Sequence, residues 1–319
     1  MTLIAFPTIK ELTEVVNQKV IGQEKLVSKV ILCIYKHILK IKGMQSNSLD
    51  NPQNNLLIIG DTGTGKTFAV KEVCKQLNLP LIEINCKSIS QEGWSGTSFI
   101  EIIHRQSINN NNPLKSYTVV FLDEFDKICC PNMSSVNDDL AFHLQSGLLK
   151  YIEGMKITYK NDKTKAVITY DTTKFCFILC GSFSNMFNNI PTAIGFNTTV
   201  GILDEQELYT QLLNYGVIEE ILGRITSIVQ TNPFSRRMYT DLLCSDTFII
   251  NQWFRYLRSL DLNSVDKINY AAIITEAEKL KLGARGLIQL MYKYVDNIIE
   301  NGDNANIYNI LIPGGDFNE

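Results

Sequence analysis

One eight-residue run combines glycines, a lysine and a threonine at a spacing that can bind phosphate. The run is Gly60-Asp61-Thr62-Gly63-Thr64-Gly65-Lys66-Thr67, which fits the pattern G-x-x-x-x-G-K-[ST]. Its glycines let backbone N–H groups close around phosphate oxygens, its lysine places a cation against the outer phosphates, and its last hydroxyl can bind Mg²⁺. The alternative is a glycine-rich turn without a ligand. We expect the nucleotide to be bound by Thr62, Gly63, Thr64, Gly65, Lys66 and Thr67.

A later apolar run ends in two carboxylates. Residues 119–122 are followed by Asp123 and Glu124, and we expect this strand to lie beside the strand that enters the phosphate-binding run. Asp123 would then hold Mg²⁺, and Glu124 would activate the water that attacks the terminal phosphate. Taken alone, the two acids could instead cap a helix. Together with the phosphate-binding run they predict an NTPase.

These residues lie in a region that alternates helical patterns with short apolar runs, the rhythm of a parallel α/β sheet. A helical pattern over residues 68–73 follows the phosphate-binding run directly. A β-hairpin is expected between Met155 and Tyr170, because two alternating stretches flank a polar turn. Four apolar runs are predicted as buried strands: residues 55–59, 81–84, 118–122 and 174–179.

The pattern changes near Pro233, where β-branched runs give way to amphipathic helices over residues 270–280 and 284–299. Residues 307–312 are predicted to form a last strand. The fold class is therefore α/β, with a P-loop NTPase core built on a parallel sheet and a smaller, mainly helical domain after it. We expect the boundary after residue 231, which gives domains at 1–231 and 232–319.

Composition limits the classes of protein that fit. The 319 residues are 45% hydrophobic and 20% charged, so the chain can bury enough apolar surface to fold. Thirty basic and 33 acidic residues give a net charge of -3, which disfavours a nucleic-acid partner. No apolar run approaches the roughly 20 residues that cross a bilayer, and the start lacks the pattern of a signal peptide. Eight cysteines, mostly in apolar stretches and without a CxxC pair, indicate buried thiols in a reducing cytoplasm.

Several motifs, in the expected chain order, resemble those of the ClpX-like AAA+ protein unfoldases of the Clp family. Val20-Ile21-Gly22-Gln23 is similar to the segment that flanks the adenine, and residues 122–127 to the extended acidic motif of that family. Residues 148–154 follow in order. Gly223-Arg224 is similar to the arginine-finger box, and Gly283-Ala284-Arg285-Gly286 to the sensor-2 box.

The resemblance implies a role for each of these positions. Val20 and Ile21 would contact the adenine. Arg224 would reach the ATP of a neighbouring subunit, which implies a ring, and Arg285 would contact the phosphates of its own subunit. Ser182 stands where the family places sensor 1, a polar group that orients the attacking water. Taken alone, each arginine would be expected to form a surface ion pair, and it is the order and spacing of the motifs that favour the role at the phosphates.

Two loops resemble the family's substrate and peptidase contacts. Gly93-Trp94-Ser95-Gly96 stands where the family carries an aromatic pore loop, although the usual residues are Tyr and Val where this chain has Trp94 and Ser95. Trp94 would grip an extended polypeptide without reading its sequence. Ile194-Gly195-Phe196 resembles the loop that docks on the ClpP peptidase. The alternative for both loops is that the apolar side chains pack on their own domain.

The chain also departs from the family. No four-cysteine zinc module precedes the ATPase region, so we expect adaptor binding to be absent or supplied differently. The hairpin region, residues 156–174, lacks the Arg-Lys-His run of the family's pore entrance, although lysines keep it basic. The range of substrates is therefore left open.

The sequence thus predicts an ATP-dependent protein unfoldase and translocase that uses ATP and Mg²⁺. The resemblance implies a homohexameric ring that passes unfolded or tagged proteins to a ClpP-like peptidase, with no membrane partner. The first alternative is a stand-alone remodeller that disassembles one specific complex without a peptidase. The second is an ATP-dependent scaffold or a nucleic-acid-loading AAA+ protein, which the acidic balance disfavours.

Overall fold

A computed structural model describes residues 6–45, 54–89, 98–109, 117–129, 138–160, 167–187, 203–245, 249–260, 262 and 268–302. The chain divides into two compact units by its internal contacts. The first unit holds the described residues of Met1–Asn17, Glu24–Gly60 and Lys66–Thr231. The second unit holds those of Gln18–Gln23, Asp61–Gly65 and Asn232–Glu319.

The first unit is built on a five-stranded parallel sheet and a separate two-stranded antiparallel hairpin. The strands in chain order are β1 (Leu56–Ile59), β2 (Leu81–Asn85), β3 (Thr118–Asp123), β4 (Lys156–Lys160), β5 (Val167–Asp171), β6 (Phe175–Gly181) and β7 (Ser227–Gln230). The order across the parallel sheet is β2-β3-β6-β1-β7, and β4 pairs with β5 in the hairpin. This arrangement confirms the four predicted strands, the predicted hairpin and the α/β class.

Burial follows each strand's place in the sheet. Every residue of β1 and β6 is buried, because a central strand of a parallel sheet is covered on both faces. The edge strand β2 alternates instead, with Ile82 and Ile84 buried and Glu83 exposed. β7 has only four residues, and the sequence reasoning did not identify it as a strand.

The predicted neighbour relationship between β1 and β3 is wrong. β6 lies between them and pairs with both, Ile178 with Leu56 on one side and with Phe121 on the other. The order of parallel strands depends on crossover connections, which apolar patterns along the chain do not encode. β6 therefore separates β1, which precedes the phosphate-binding run, from β3, which ends in the acidic pair.

Helices cover the sheet in the first unit. They are α1 (Ile9–Asn17), α2 (Glu24–Gln45), α3 (Lys66–Gln76), α4 (Phe99–Asn109), α5 (Asp138–Glu153), α6 (Glu205–Tyr215) and α7 (Glu219–Leu222). Helix α3 begins at the lysine of the phosphate-binding run, which confirms the predicted strand–loop–helix context. Helix α6 shows strong local signals at both ends: Asp204 and Glu207 form a capping box, and Gly216 closes the helix at φ 108°.

The helices of the second unit all lie after Asn232 in its described residues, and Gln18–Gln23 and Asp61–Gly65 add turns and loops to it. Its helices are α8 (Arg236–Cys244), α9 (Ile249–Ser259), α10 (Tyr270–Leu280) and α11 (Gly283–Asn301). Side chains from all four helices form one apolar core, which includes Tyr239, Phe254, Ile273 and Met291. The predicted helices at 270–280 and 284–299 are confirmed. The predicted strand at 307–312 lies outside the described residues.

Most of the cysteines that the structure describes are buried. Of the seven cysteines in the described residues, which are all free thiols, six are buried and Cys244 is exposed. Cys130 lies outside the described residues. Among the helices that the structure describes, none has the length and apolar character needed to cross a membrane.

Candidate active site

The phosphate-binding run follows β1 and leads directly into α3. Gly60 lies at φ 154°, and a Cβ there would come within 1.8 Å of Thr231 Oγ1, so this position requires glycine. The Gly60 N–H donates to Gly181 O over 3.2 Å, which ties the start of the loop to the end of β6. Lys66 Nζ donates to Gly60 O over 2.6 Å, so the ammonium group lies folded back over the loop.

The hydroxyl of Thr67 and the carboxylate of Asp123 meet at the carboxyl ends of the strands. Thr67 Oγ1 donates to Asp123 Oδ2 over 3.2 Å. β3 ends at Asp123, whose other oxygen, Oδ1, accepts from the Glu124 N–H over 2.9 Å. The structure therefore brings together the two predicted Mg²⁺ ligands, although their elements are not adjacent in the sheet. Hydroxyl and carboxylate oxygens are the ligands that this hard cation prefers.

Glu124 turns out of the sheet in a left-handed conformation at φ 55° and ψ 35°. Its Oε2 accepts hydrogen bonds from Lys87 Nζ over 3.0 Å and from Asn85 Nδ2 over 3.1 Å. The hydrogen bond from Lys87, together with that from Asn85, holds the pKa of this carboxyl below its usual range. Glu124 is therefore ionised at neutral pH, as a base that accepts a proton from water must be.

Two contacts of Glu124 were missed by the sequence reasoning. Asn85 is the last residue of β2, and Lys87 lies in the 3₁₀ turn Cys86–Ser88 that follows it. Asn85 is the register partner of Asp123, so β2 brings its carboxyl end beside the acidic pair. The sequence did contain a signal for these contacts, because polar residues directly follow the predicted strand at 81–84.

A third carboxylate, Asp126, lies buried behind the acidic pair and is only 1% exposed. Its Oδ2 accepts from Ser182 Oγ over 2.9 Å and from Lys127 Nζ over 2.8 Å. Ser182 follows β6, so its hydroxyl links the end of that strand to the acidic segment after β3. Ser182 is thus hydrogen-bonded to Asp126, a partner that sequence reasoning did not identify.

Buried thiols next to the acidic segment add no charge to it. Burial is the main cause that raises the pKa of the Cys180 thiol well above its usual range, and the nearby Asp123 carboxylate raises it further. Burial raises the pKa of Cys86 in the same way. Both groups are therefore neutral thiols, so the charge of this region comes from its carboxylates and lysines.

Comparison with known proteins adds an independent finding. Residues 56–195 match the family described as "ATPase family associated with various cellular activities (AAA)". The "ATP-dependent Clp protease ATP-binding subunit ClpX" of Treponema denticola is 29% identical over 314 residues, which covers 91% of this chain and 76% of that protein. The protein named ClpX 2 from Wolinella succinogenes is 28% identical over 301 residues, covering 89% and 75%. The chain is similar to ClpX proteins along most of its length, and residues 56–195 match the AAA family of ATPases.

This ClpX-like protein is an ATPase, and it binds ATP. A further relative, ClpX of Bacteroides fragilis, is 27% identical over 317 residues, covering 90% of this chain and 75% of the relative. These matches extend far beyond the segment that matches the AAA family. The resemblance drawn from the motifs is confirmed.

Arg224 of the ClpX-like protein lies at the surface of the first unit. Its Nε and Nη2 donate to Glu153 Oε1 over 3.1 and 2.7 Å, and its backbone carbonyl accepts from Asn55 Nδ2 over 2.9 Å. The structure therefore holds Arg224 in a surface ion pair within its own chain. Its reach toward a neighbouring subunit stays a prediction.

The segment around Val20 and Ile21 is fixed by its neighbour Gln23. The Gln23 amide and the Asn232 backbone exchange two hydrogen bonds, of 2.8 and 2.9 Å, and Asn232 Nδ2 donates to Gly22 O over 2.8 Å. Val20 is buried and Ile21 is half-buried. Their contact with an adenine stays a prediction.

Arg285 lies exposed in the first turn of α11. Within the second unit, the neighbouring Ala284 N–H donates to Gly63 O over 3.0 Å. Gly63 and Gly283 approach so closely that a Cβ on Gly283 would lie 2.7 Å from Gly63 O. This close contact attaches the turn that carries Arg285 to the middle of the phosphate-binding run.

The two predicted contact loops lie outside the described residues. They are Gly93-Trp94-Ser95-Gly96 and Ile194-Gly195-Phe196. The structure brings the two predicted Mg²⁺ ligands, Thr67 and Asp123, next to Glu124, and Asp126 of the same acidic segment accepts a hydrogen bond from Ser182.

Proposed function

We propose that this ATPase is the motor subunit of a protein unfoldase and translocase. It forms a homohexameric ring and passes unfolded or tagged proteins to a ClpP-like peptidase. The observation that carries the proposal is the hydrogen bond between Thr67 and Asp123 beside the ionised Glu124, because this set can hydrolyse ATP repeatedly. Relatives named as ATP-binding subunits of a Clp protease support the peptidase partnership. Repeated hydrolysis suits the ~5–15 kcal/mol that stabilise a typical folded domain.

The chemistry of the site follows from its oxygen and nitrogen groups. Thr67 Oγ1 and Asp123 Oδ2 are hard ligands 3.2 Å apart, which fits Mg²⁺ shared with the phosphates of ATP. When bound, Mg²⁺ supplies positive charge that offsets the charge on the transferred phosphate. Lys66 moves its ammonium from Gly60 O to the outer phosphates. Glu124 accepts a proton from the attacking water.

The remaining positions complete the site. Residues 1–231 form the large α/β ATPase domain, and residues 232–319 form the small, mainly helical domain. In the ring, Arg224 reaches the ATP of a neighbouring subunit, and Arg285 contacts the phosphates of its own subunit, so that charge is stabilised from more than one side. Val20 and Ile21 contact the adenine, and Ser182 orients the attacking water.

Two loops serve the substrate and the peptidase. Gly93-Trp94-Ser95-Gly96 presents Trp94 to the translocating polypeptide, since an aromatic ring contacts any extended chain through its area. Ile194-Gly195-Phe196 docks on the peptidase through its two bulky apolar side chains. The same assignment makes the protein a cytoplasmic machine without a membrane partner.

The first test measures hydrolysis. We expect the Glu124→Gln variant to bind ATP with unchanged affinity and to lose at least about 100-fold in kcat, because the base is absent. Undiminished hydrolysis would remove Glu124 from the mechanism.

The second test measures the partnership. The wild-type protein and Phe196→Ala are mixed in ATPγS with the ClpP-like peptidase of the same source, and co-elution is followed by size-exclusion chromatography. We expect the wild type to co-elute and the variant to elute alone as an intact ring. A wild-type ring that ignores the peptidase would favour the stand-alone remodeller. Degradation of fluorescein-labelled casein by the co-eluting complex then tests delivery.

A further inference from the structure

One buried side chain joins the two helices that precede Arg224. Gln145 of α5 is only 1% exposed. Its Nε2 donates to Gly216 O over 2.9 Å, and its Oε1 accepts from the Ile218 N–H over 3.0 Å. Gly216 closes α6 and Ile218 directly precedes α7, so the amide holds the link between these helices by both of its polar groups.

The helix that this amide anchors is too short to keep its own position. α7 has four residues, whereas isolated helices shorter than about 12 residues are marginal in water. The Gly223 N–H donates to Glu219 O over 2.8 Å and the Arg224 N–H donates to Ile221 O over 2.9 Å, so Arg224 continues directly from this turn. The position of Arg224 therefore depends on the contacts of α7 with the rest of the first unit.

A second buried amide holds the chain on the other side of Arg224. Asn55 is fully buried, its Nδ2 donates to Arg224 O over 2.9 Å, and its backbone carbonyl accepts from the Thr226 N–H over 3.0 Å. The backbone of Arg224 thus lies between two side-chain anchors, Gln145 before it and Asn55 after it. Its guanidinium, in contrast, lies in an exposed ion pair with Glu153. The structure therefore fixes the base of this side chain and leaves its end able to change partners.

We propose that Gln145 is a positioning residue for ATP hydrolysis at the site of the neighbouring subunit, because it fixes the backbone from which Arg224 reaches that site. The proposal rests on the action of Arg224 on a neighbour, which belongs to the proposed function. It assigns to Gln145 no contact with a nucleotide. An arginine that stabilises developing charge must be placed closely, since a shift of about 1 Å can cost about 100-fold in rate.

The Gln145→Met variant keeps most of the side-chain volume and removes both hydrogen bonds. The anchor at Asn55 remains, so we expect the loss in kcat to be about tenfold rather than complete. The phosphate-binding run is unchanged, and we expect the Kd for ATPγS to change by less than about twofold.

A matched control is the amide of Gln106 in α4, which binds backbone groups in the same way. Its Oε1 accepts from the Glu83 N–H over 3.0 Å, and its Nε2 donates to Glu83 O. This amide holds the edge strand β2 and touches none of the segments that carry Arg224. We expect Gln106→Met to keep kcat within about twofold of the wild type.

Mixed rings separate an action on the neighbour from an action within the subunit. A Gln145→Met subunit retains Glu124 but places its Arg224 poorly. In an equal mixture with Glu124→Gln, roughly a quarter of the interfaces join an intact Glu124 to a well-placed Arg224. We therefore expect about a quarter of the wild-type rate, which exceeds that of Gln145→Met alone. In an equal mixture with Arg224→Ala no interface receives a well-placed Arg224, and we expect about half the rate of Gln145→Met alone.

The experiment measures ATPase rates of the full chain with excess Mg²⁺, for each variant alone and after subunit exchange. A kcat of Gln145→Met equal to the wild type overturns the proposal, as does an equal loss in Gln106→Met. Equal rates in the two mixtures also overturn it, because a merely structural defect lowers both alike. A faster mixture with Arg224→Ala would place the action of Gln145 within its own subunit.

Two further measurements keep the result interpretable. Thermal unfolding checks that the compared variants are folded. If Gln145→Met does not fold, Gln145→Asn takes its place, because it keeps a polar amide that is one carbon too short to hold both backbone groups. We expect the same order of the two mixtures with a smaller loss in kcat, and the opposite order or equal rates overturn the proposal.

The mixture of Arg224→Ala with Glu124→Gln separates the two possible failures. If these variants complement each other while the Gln145→Met mixtures show no difference, the action of Arg224 on its neighbour stands and the role of Gln145 does not. If they fail to complement each other, the proposed role of Arg224 fails, and the role of Gln145 fails with it.

Discussion

Arg224 donates two hydrogen bonds to a single carboxylate oxygen of Glu153, from Nε over 3.1 Å and from Nη2 over 2.7 Å. The two side chains are 47% and 41% exposed, so the pair contributes little to stability. An arginine that is held at a surface but only weakly paired can exchange its partner for a phosphate.

If Arg224 serves a neighbouring subunit, two inactive variants should complement each other in mixed rings. We expect Arg224→Ala and Glu124→Gln to be nearly inactive alone. In a head-to-tail ring, an intact site needs Glu124 from an Arg224→Ala subunit and Arg224 from a neighbouring Glu124→Gln subunit. When the two variants are mixed in equal amounts, this combination occurs at roughly a quarter of the interfaces. ATPase activity should therefore rise to about that fraction of the wild type after subunit exchange. A mixture as inactive as its components would place the action of Arg224 within its own subunit.

Ser182 supplies a hydroxyl to a buried charge, so its removal should reduce stability. Ser182→Ala leaves the Asp126 carboxylate without one of its donors, and we expect the free energy of unfolding to fall by about 1–3 kcal/mol. Ser184→Ala is the matched control, because Ser184 Oγ donates to Ser182 Oγ over 3.1 Å in an exposed position and does not contact the Asp126 carboxylate in the described hydrogen bonds. We expect that variant to change the free energy of unfolding by less than about 0.5 kcal/mol. Chemical denaturation of both variants measures the difference, and equal values would contradict the argument.

The contact between Gly63 and Gly283 should tolerate no side chain. A Cβ on Gly63 would lie 2.0 Å from Leu282 O, and both glycines have positive φ, 81° and 53°. We therefore expect Gly63→Ala and Gly283→Ala each to destabilise the protein by about 1–3 kcal/mol and to weaken ATP binding. Gly147→Ala is the control, since a Cβ there meets nothing within 4 Å. Thermal unfolding should show that variant as stable as the wild type or slightly more stable.

His37 gives the stability a pH dependence. Burial, with a smaller contribution from the charge of Lys40, lowers the pKa of His37 to about 4, while its hydrogen bond to the Lys174 carbonyl acts in the opposite direction. The Lys40 ammonium in turn interacts with the Asp171 carboxylate.

Because the folded pKa is below the unfolded value of roughly 6.5, the unfolded chain binds the proton first as the pH falls. We expect the free energy of unfolding to decrease between about pH 6.5 and pH 4 by an amount of the order of 3 kcal/mol from this group. In His37→Gln that part of the pH dependence should be absent. Denaturation curves at pH 7, 5.5 and 4.5 check this, and identical slopes in both proteins would exclude His37 as the cause.

The sequence predicted those features of the site that depend on neighbours along the chain. The phosphate-binding run has a fixed spacing, and its strand and helix carry strong local patterns, so Lys66 and Thr67 were located from the residues alone. The place of β6 between β1 and β3 was not predicted, because strand order depends on pairing between distant segments. The contact of Lys87 with Glu124 was not predicted for the same reason, because it depends on the register in which β2 pairs with β3.

The strand order also affects the order of events during synthesis. β1 emerges early, yet Leu56 finds its sheet partners only in Ile178 and Ser227, which are made much later. Pairings between such distant segments are slow to form, because a long loop must close before any contact is gained. A nascent chain that ends before β6 therefore carries the complete phosphate-binding run without the strand that anchors its first glycine. We therefore expect the nascent chain to become able to bind ATP only late in synthesis, after most of the first unit has left the ribosomal exit tunnel.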